Sequence, residues 1–271
     1  MSHNTFPVTL SSSAVNQSAS NFTTTFAPPI EFNPNDKYSV ALANIGVWNT
    51  YRNISAAAGN NSLRWSPNGT TWNTITFPDG LWAFGNQVSY IAQTITAQGG
   101  NSTYAVLSAD DPTGGTIWTL SNGYQIDLTV SKYYIIIGWN SQIISTNGVN
   151  ISPNQANVSN GLTNFYVTLS CINASGSFLN GIASTVIYSY GLGYAPQSLI
   201  SLTPTYPLFV PVSSGTIQNL TITITDQNGN IIQLQNPGDY QNNPTSVTLY
   251  FKRENENIGE MLKKIFAKLN I

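Results

Sequence analysis

Residues 38–48 carry the tightest constraint in this chain. Side chains alternate there, with Tyr38, Val40, Leu42 and Asn44 on one face and Ser39, Ala41, Ala43 and Ile45 on the other. The second face is small or apolar as well, so both faces need cover, and the stretch must be a central strand in a packed sheet. Gly46 interrupts the alternation, which marks a bulge or a close backbone approach. Asn49, Asn53 and Ser55 then supply turn chemistry around Tyr51. A covered strand with so polar an exit leaves its sandwich for another part of the molecule.

The same period of two recurs on both sides of a long interruption. Before it, 6–10 and 22–32 read as strands, separated from 37–48 by a Ser-rich turn and by Asn33-Pro34-Asn35-Asp36. After it come 165–171, 184–190, 199–202, 206–212, 216–225 and 246–251. In 216–225, Ile217, Asn219, Thr221 and Thr223 face away from Leu220, Ile222 and Ile224. Counting 206–212 as the sixth, eight main strands in two antiparallel sheets describe a jelly roll. The fold class is therefore all-β: a single jelly-roll β-sandwich formed by 1–52 and 162–252, with a β-rich insertion domain, 53–161, between the third and fourth main strands.

Inside the insertion the rhythm changes to hairpins. Pro67-Asn68-Gly69 turns 63–65 into 72–77, and Pro78-Asp79-Gly80 leads to the best helix, 86–97, with Val88, Ile91, Ala92 and Ile95 in phase and Gly99-Gly100 behind it. Strands are expected at 104–107 and 116–120. Asn122-Gly123 signals a second hairpin into 124–130, where Tyr124, Ile126, Leu128 and Val130 share a face. The apolar run 132–139 fits a strand or a helical turn, and the Asn/Ser-rich residues 140–161 read as a long loop.

The chain changes character again at its end. In 253–271, Ile258, Met261, Leu262, Ile265, Phe266 and Leu269 fall on one helical face, with Lys263, Lys264 and Lys268 off it. An amphipathic C-terminal helical tail is expected, and the candidate contacts with a neighbouring subunit or an inner face are Lys263, Lys264, Lys268, Ile265, Phe266 and Leu269. A basic amphipathic segment also suits a membrane surface or a genome.

Chemistry is hard to build from the rest. His3 is the sole histidine and lies near the terminus, which nearly excludes His-based triad or acid–base catalysis. Cys171, the one cysteine, alternates with core positions and reads as a buried structural thiol. Asp226, Asn228 and Asn230 have the opening spacing of a calcium loop, but glycine comes too early and Pro237 stands where the closing glutamate belongs, so a hairpin turn is favoured. Asp110-Asp111 before Pro112 is a turn signal, although a carboxylate pair could hold a surface cation. The aromatic groups Tyr133-Tyr134, Trp48 with Tyr51, and Trp82 with Phe84 could stack sugars or bases, although core or interface packing is the plainer role. No enzyme, cofactor or metal is expected. Charged residues make up only 7% of the chain, against about a quarter in ordinary domains. Such a surface repels its own copies weakly and suits assembly. With no signal-peptide pattern after Met1 and no apolar run of the roughly 20 residues a membrane helix needs, folding in a reducing compartment is expected.

Several segments, in order, resemble a known family. Asp36-Lys37-Tyr38-Ser39-Val40-Ala41-Leu42 followed by Trp48-Asn49-Thr50-Tyr51-Arg52-Asn53-Ile54 resembles the "yeVaL…wyNi" segment of virophage and Polinton-like (Maverick) penton proteins, the vertex capsid proteins of those viruses. Pro78-Asp79-Gly80 before the helix resembles their "PDG" step. Tyr124-Gln125-Ile126-Asp127-Leu128, then Ile135-Ile136-Ile137-Gly138-Trp139, is similar to "yqiDL…LLGF". Ile222-Thr223-Ile224-Thr225-Asp226-Gln227-Asn228-Gly229, then Val247-Thr248-Leu249, resembles "itDqnGr…L". The resemblance runs from about residue 6 to 252 and leaves out the tail. It implies a jelly roll with an outward insertion, five copies of which form each vertex of an icosahedral particle. It further implies a virion location after assembly in the host-cell cytoplasm, with a homopentamer and the major capsid protein as partners. A host-surface glycan or receptor would meet the insertion domain, and the tail would meet genome or membrane. The alternative from another class is a glycan- or receptor-binding jelly roll, such as a fibre head or lectin.

Overall fold

A computed structural model describes residues 5–13, 18–173, 178–179, 182–193, 197–213, 215–234 and 244–254. The C-terminal helix expected from the sequence lies outside them. The chain opens with β1 (Thr5–Ser11), β2 (Asn21–Glu31) and β3 (Lys37–Trp48). After the insertion come β11 (Asn164–Leu169), the short pair β12 (Phe178–Leu179) and β13 (Ile182–Ala183), β14 (Val186–Gly191), β15 (Leu199–Leu202), β16 (Val210–Pro211), β17 (Thr216–Thr225) and β18 (Ser246–Glu254). One antiparallel sheet runs β1-β18-β3-β15, with β16 also on β3; the other runs β14-β11-β17-β2. Taking β15 and β16 together as the sixth main strand, the orders are 1-8-3-6 and 5-4-7-2, which is the jelly-roll winding.

The two sheets close on one apolar core that includes Leu10, Phe22, Leu42, Phe165, Ile222 and Phe251. Each of these side chains is almost wholly buried and contributes about 1.5–3 kcal/mol relative to exposure. Strand β3 sits between β18 and β15/β16, and from Ser39 to Ala43 every residue is buried, as its two-sided pattern requires.

Several expectations are corrected. The bulge in β3 is at Ala43, where Thr248 faces Asn44 but Leu249 faces Leu42. It shifts the period so that Ile45 and Val47 join Val40 and Leu42 in the core. Of the two roles expected for Gly46 the close approach holds, since a Cβ there would lie 2.9 Å from Ser246 Oγ. Ile217 also points to the core rather than with Asn219, because the β17–β2 register shifts between them. The sixth strand is not a continuous 206–212: its two pieces pair with opposite ends of β3, and the prolines at 204 and 207 have no N–H for the ladder between them.

The insertion holds β4 (Ser62–Ser66), β5 (Asn73–Thr76), α1 (Phe84–Ala97), β6 (Ala105–Asp110), β7 (Gly115–Leu120), β8 (Gln125–Asp127), α2 (Tyr133–Ile136), β9 (Ile143–Ile144) and β10 (Gly148–Ile151). Two small sheets result, β5-β4-β8-β9 and β10-β7-β6. The Pro67–Gly69 hairpin and α1 fall where their signals place them, and 132–139 resolves as a helical turn. Asn122 and Gly123 both adopt positive φ, the dihedral signature of a tight hairpin. Yet β7 and β8 belong to different sheets, so the turn is a hinge between sheets and not a hairpin. Residues 140–161 are not one long loop, since β9 pairs with β8 and β10 with β7. Val130 departs from its expected face and is exposed.

Candidate functional site

A second apolar core, from Ile54 to Ile144, fills the insertion and shares no residue with that of the jelly roll. The switch takes three residues: Tyr51 packs edge-on to Phe165 in the first core, 5.8 Å between centroids, and Ile54 is already in the second. Asn53, between them, is 1% exposed. Its Oδ1 accepts from Trp82 N at 2.8 Å, and its Nδ2 donates to Trp82 O at 2.9 Å and Val158 O at 2.7 Å. One amide thus ties the outgoing strand, the approach to α1 and the returning chain. Asn60, also buried, accepts from Ser55 N at 2.8 Å and donates to Asn53 O at 2.9 Å. Asp79 of the Pro78–Gly80 turn caps Ala56 N at 2.7 Å, and Arg52 reaches its other oxygen at 3.4 Å. The sequence offered Asn53 only as a turn residue; nothing in an Asn-rich chain marks one amide as buried.

Farther out, Asp127 is 1% exposed. Burial alone would push its carboxyl up, but bonds from Thr129 N at 2.8 Å, Thr129 Oγ1 at 2.6 Å and Arg64 Nε at 3.0 Å outweigh that and hold it below the usual carboxylate range. Arg64 lies opposite Asp127 in the β4–β8 register and covers the Trp72 ring. A carboxyl depressed by folding stabilises above its unfolded pKa, about 3.9, and that contribution is lost as pH falls through the lower folded value. Acid unfolding of the insertion below about pH 4 is therefore expected to lose part of its pH dependence in Asp127→Asn, read by near-ultraviolet dichroism against pH.

Gly138 adopts φ 78°, and a Cβ there would meet Asn154 O at 2.4 Å, so both the dihedral and the close approach call for glycine. The Tyr133 hydroxyl, wholly buried, donates to Gln87 Oε1 at 2.9 Å, and Gln87 donates to Trp82 O at 3.1 Å. Tyr133 and Tyr51 are thereby packing residues, not open stacking platforms. On the outer face of β10-β7-β6, Val106 and Val149 flank Thr119 from either side, and Ile151 lies opposite Ile117. Val149 and Ile151 are 66% and 57% exposed.

The remaining sequence candidates are structural in geometry. Cys171 is buried in the jelly-roll core, and burial pushes its thiol up to about 12. Cys171→Ala is expected to cost about 1–2 kcal/mol as a small cavity, and native protein should resist thiol reagents until unfolded; a thiol titration with and without denaturant checks both. The Asp226 carboxylate is spent on its turn: Oδ1 accepts from Asn228 N at 2.8 Å and Asn230 N at 2.9 Å. Asp110 accepts from Thr113 Oγ1 at 2.5 Å within its turn. Among the described residues, no group of three or more His, Cys, Asp or Glu could hold a metal ion. No helix of the described residues is long and apolar enough to cross a membrane. Lys263, Lys264, Lys268, Ile265, Phe266 and Leu269 lie outside the described residues.

No family model and no curated protein matches this sequence. Among solved structures, the chain is similar to the mavirus penton protein in its selenomethionine-labelled crystal form. The identity is 10%, the TM-score 0.48, and the alignment covers 92% of this chain and 99% of that one.

Proposed function

We propose that this chain is a non-enzymatic capsid protein whose function is assembly, and that five copies form the vertex of an icosahedral virus particle. The observation that carries it is where the family-like segments fall in the fold. Asn53, Pro78-Asp79-Gly80, Asp127 and Gly138 lie in segments that resemble virophage and Polinton-like pentons, and each makes a bond or a close approach at the junction or within the second core. A jelly roll alone says nothing about function; a jelly roll with this insertion, fixed by these residues, supports the vertex role. The charge-poor composition supports it too, since closely packed copies repel one another weakly.

On this account the jelly roll, 1–52 with 162–252, makes the ring and contacts the major capsid protein, and 53–161 projects outward as a separable domain. The test is the mass of the purified chain in solution by mass photometry. A mass five times that of the single chain is expected; a monomer or trimer that binds a glycan array would replace the vertex role with that of a receptor-binding module.

A further inference from the structure

The described chain ends at Glu254, and it ends beside uncovered apolar surface. Tyr206 and Leu208, in the segment between β15 and β16, are 89% and 71% exposed, and Tyr250 on β18 is 39% exposed. Phe209 joins them to a groove of about 680 Å³ that Glu254 itself lines, with Tyr38, Pro211 and Val212 as apolar walls. Neighbouring exposed side chains of this size mark a contact surface.

The sequence holds a matching segment. From Ile258 to Leu269 the apolar side chains share one helical face, after a tether of only 255–257. Such a tether spans up to about 10 Å. The distance is suitable, because Lys252, two residues before Glu254, already places Nζ 5.3 Å from the centre of the Phe209 ring. A short tether holds the segment at roughly millimolar local concentration, which favours its own chain over any neighbour. A helix this short is marginal alone and gains most from a surface.

We propose that the tail, 258–269, packs its apolar face on the Tyr206–Phe209 segment and the adjoining groove of its own chain. This does not depend on the vertex assignment. The acids around the groove already have partners, Asp36 with Arg253 at 2.8 Å and Glu254 with Lys252 at 3.7 Å and Ser39, and Lys37 on its wall is itself basic. Lys263, Lys264 and Lys268 therefore stay in water, and docking is insensitive to salt. Binding of those lysines to acidic lipid or nucleic acid would instead weaken as salt rises.

Hydrogen exchange at Thr205, Tyr206, Leu208 and Phe209 tests this, since no strand holds those amides. Slowing of about tenfold or more is expected in the full chain relative to a chain ending at Glu254. The full-length double variant Ile265→Glu, Phe266→Glu should exchange like the truncated chain, which keeps the test valid if truncation impairs folding. A synthetic peptide of 255–271 should restore the slowing equally in low and high salt. Equal exchange in the full chain and the double variant would overturn the proposal. So would slowing that disappears on dilution, which would mean that a second copy supplies the tail.

Discussion

Trp65→Ala is expected to destabilise the insertion by about 3–5 kcal/mol while leaving the unfolding of the jelly roll unchanged. Trp65 is 1% exposed, stacks on Tyr124 with centroids 5.5 Å apart, and donates from Nε1 to Gln98 Oε1 at 2.6 Å. Its ring also presses on Gly100, where a Cβ would come within 2.3 Å. Truncation thus opens a large cavity, while the exposed Gln98 turns its freed amide oxygen to water. The loss stays local because the two cores share no residue. Calorimetry of the variant should show one transition shifted down and the other in place. A single transition that moves as a whole would show that the cores unfold as one.

Asn53→Ala should cost about 2–4 kcal/mol, because Trp82 N and Val158 O lose this partner and Trp82 O keeps only Gln87 at the junction. Its effect differs in kind from that of Trp65→Ala. Neither core loses a side chain, so both remain folded, and what loosens is the angle between them. Limited proteolysis is expected to cut the variant near 53–60 or 156–162 well before either core is digested. Cleavage at the same rate as in the unaltered chain would show that the flanking backbone bonds, such as Gly80 N to Ile54 O at 2.9 Å, hold the junction without Asn53.

Why was the winding legible in the sequence while its details were not? Strands such as 165–171 and 216–225 have one buried face, and a period of two reveals them. Bulges escape that rule. In β3 the small residues Ala41 and Ala43 fit either face, so the slip at Ala43 leaves no mark, whereas Gly46 marked the close approach and not the bulge. Ile217 was misplaced for the same reason, one residue shift away from Asn219. Strands as short as Ile143–Ile144 exist through their partners and have no period of their own. Asn122-Gly123 gave the correct dihedrals but not what they connect, because turn chemistry is local and sheet membership is not. The junction was the least visible part: Asn53 and Asn60 matter through burial, and their residue type is common everywhere in this chain. The absence of histidine from the body of the chain and the placing of Cys171 in alternation with core residues were, by contrast, plain from composition and period.

Single-particle imaging of the purified full chain tests the vertex account most directly. The prediction is fivefold class averages in which five lobes project from one face of a ring, and the loss of those lobes, with the ring intact, when 53–161 is replaced by a short Gly/Ser linker. Two-lobed single chains, or averages with twofold or threefold symmetry, would contradict it.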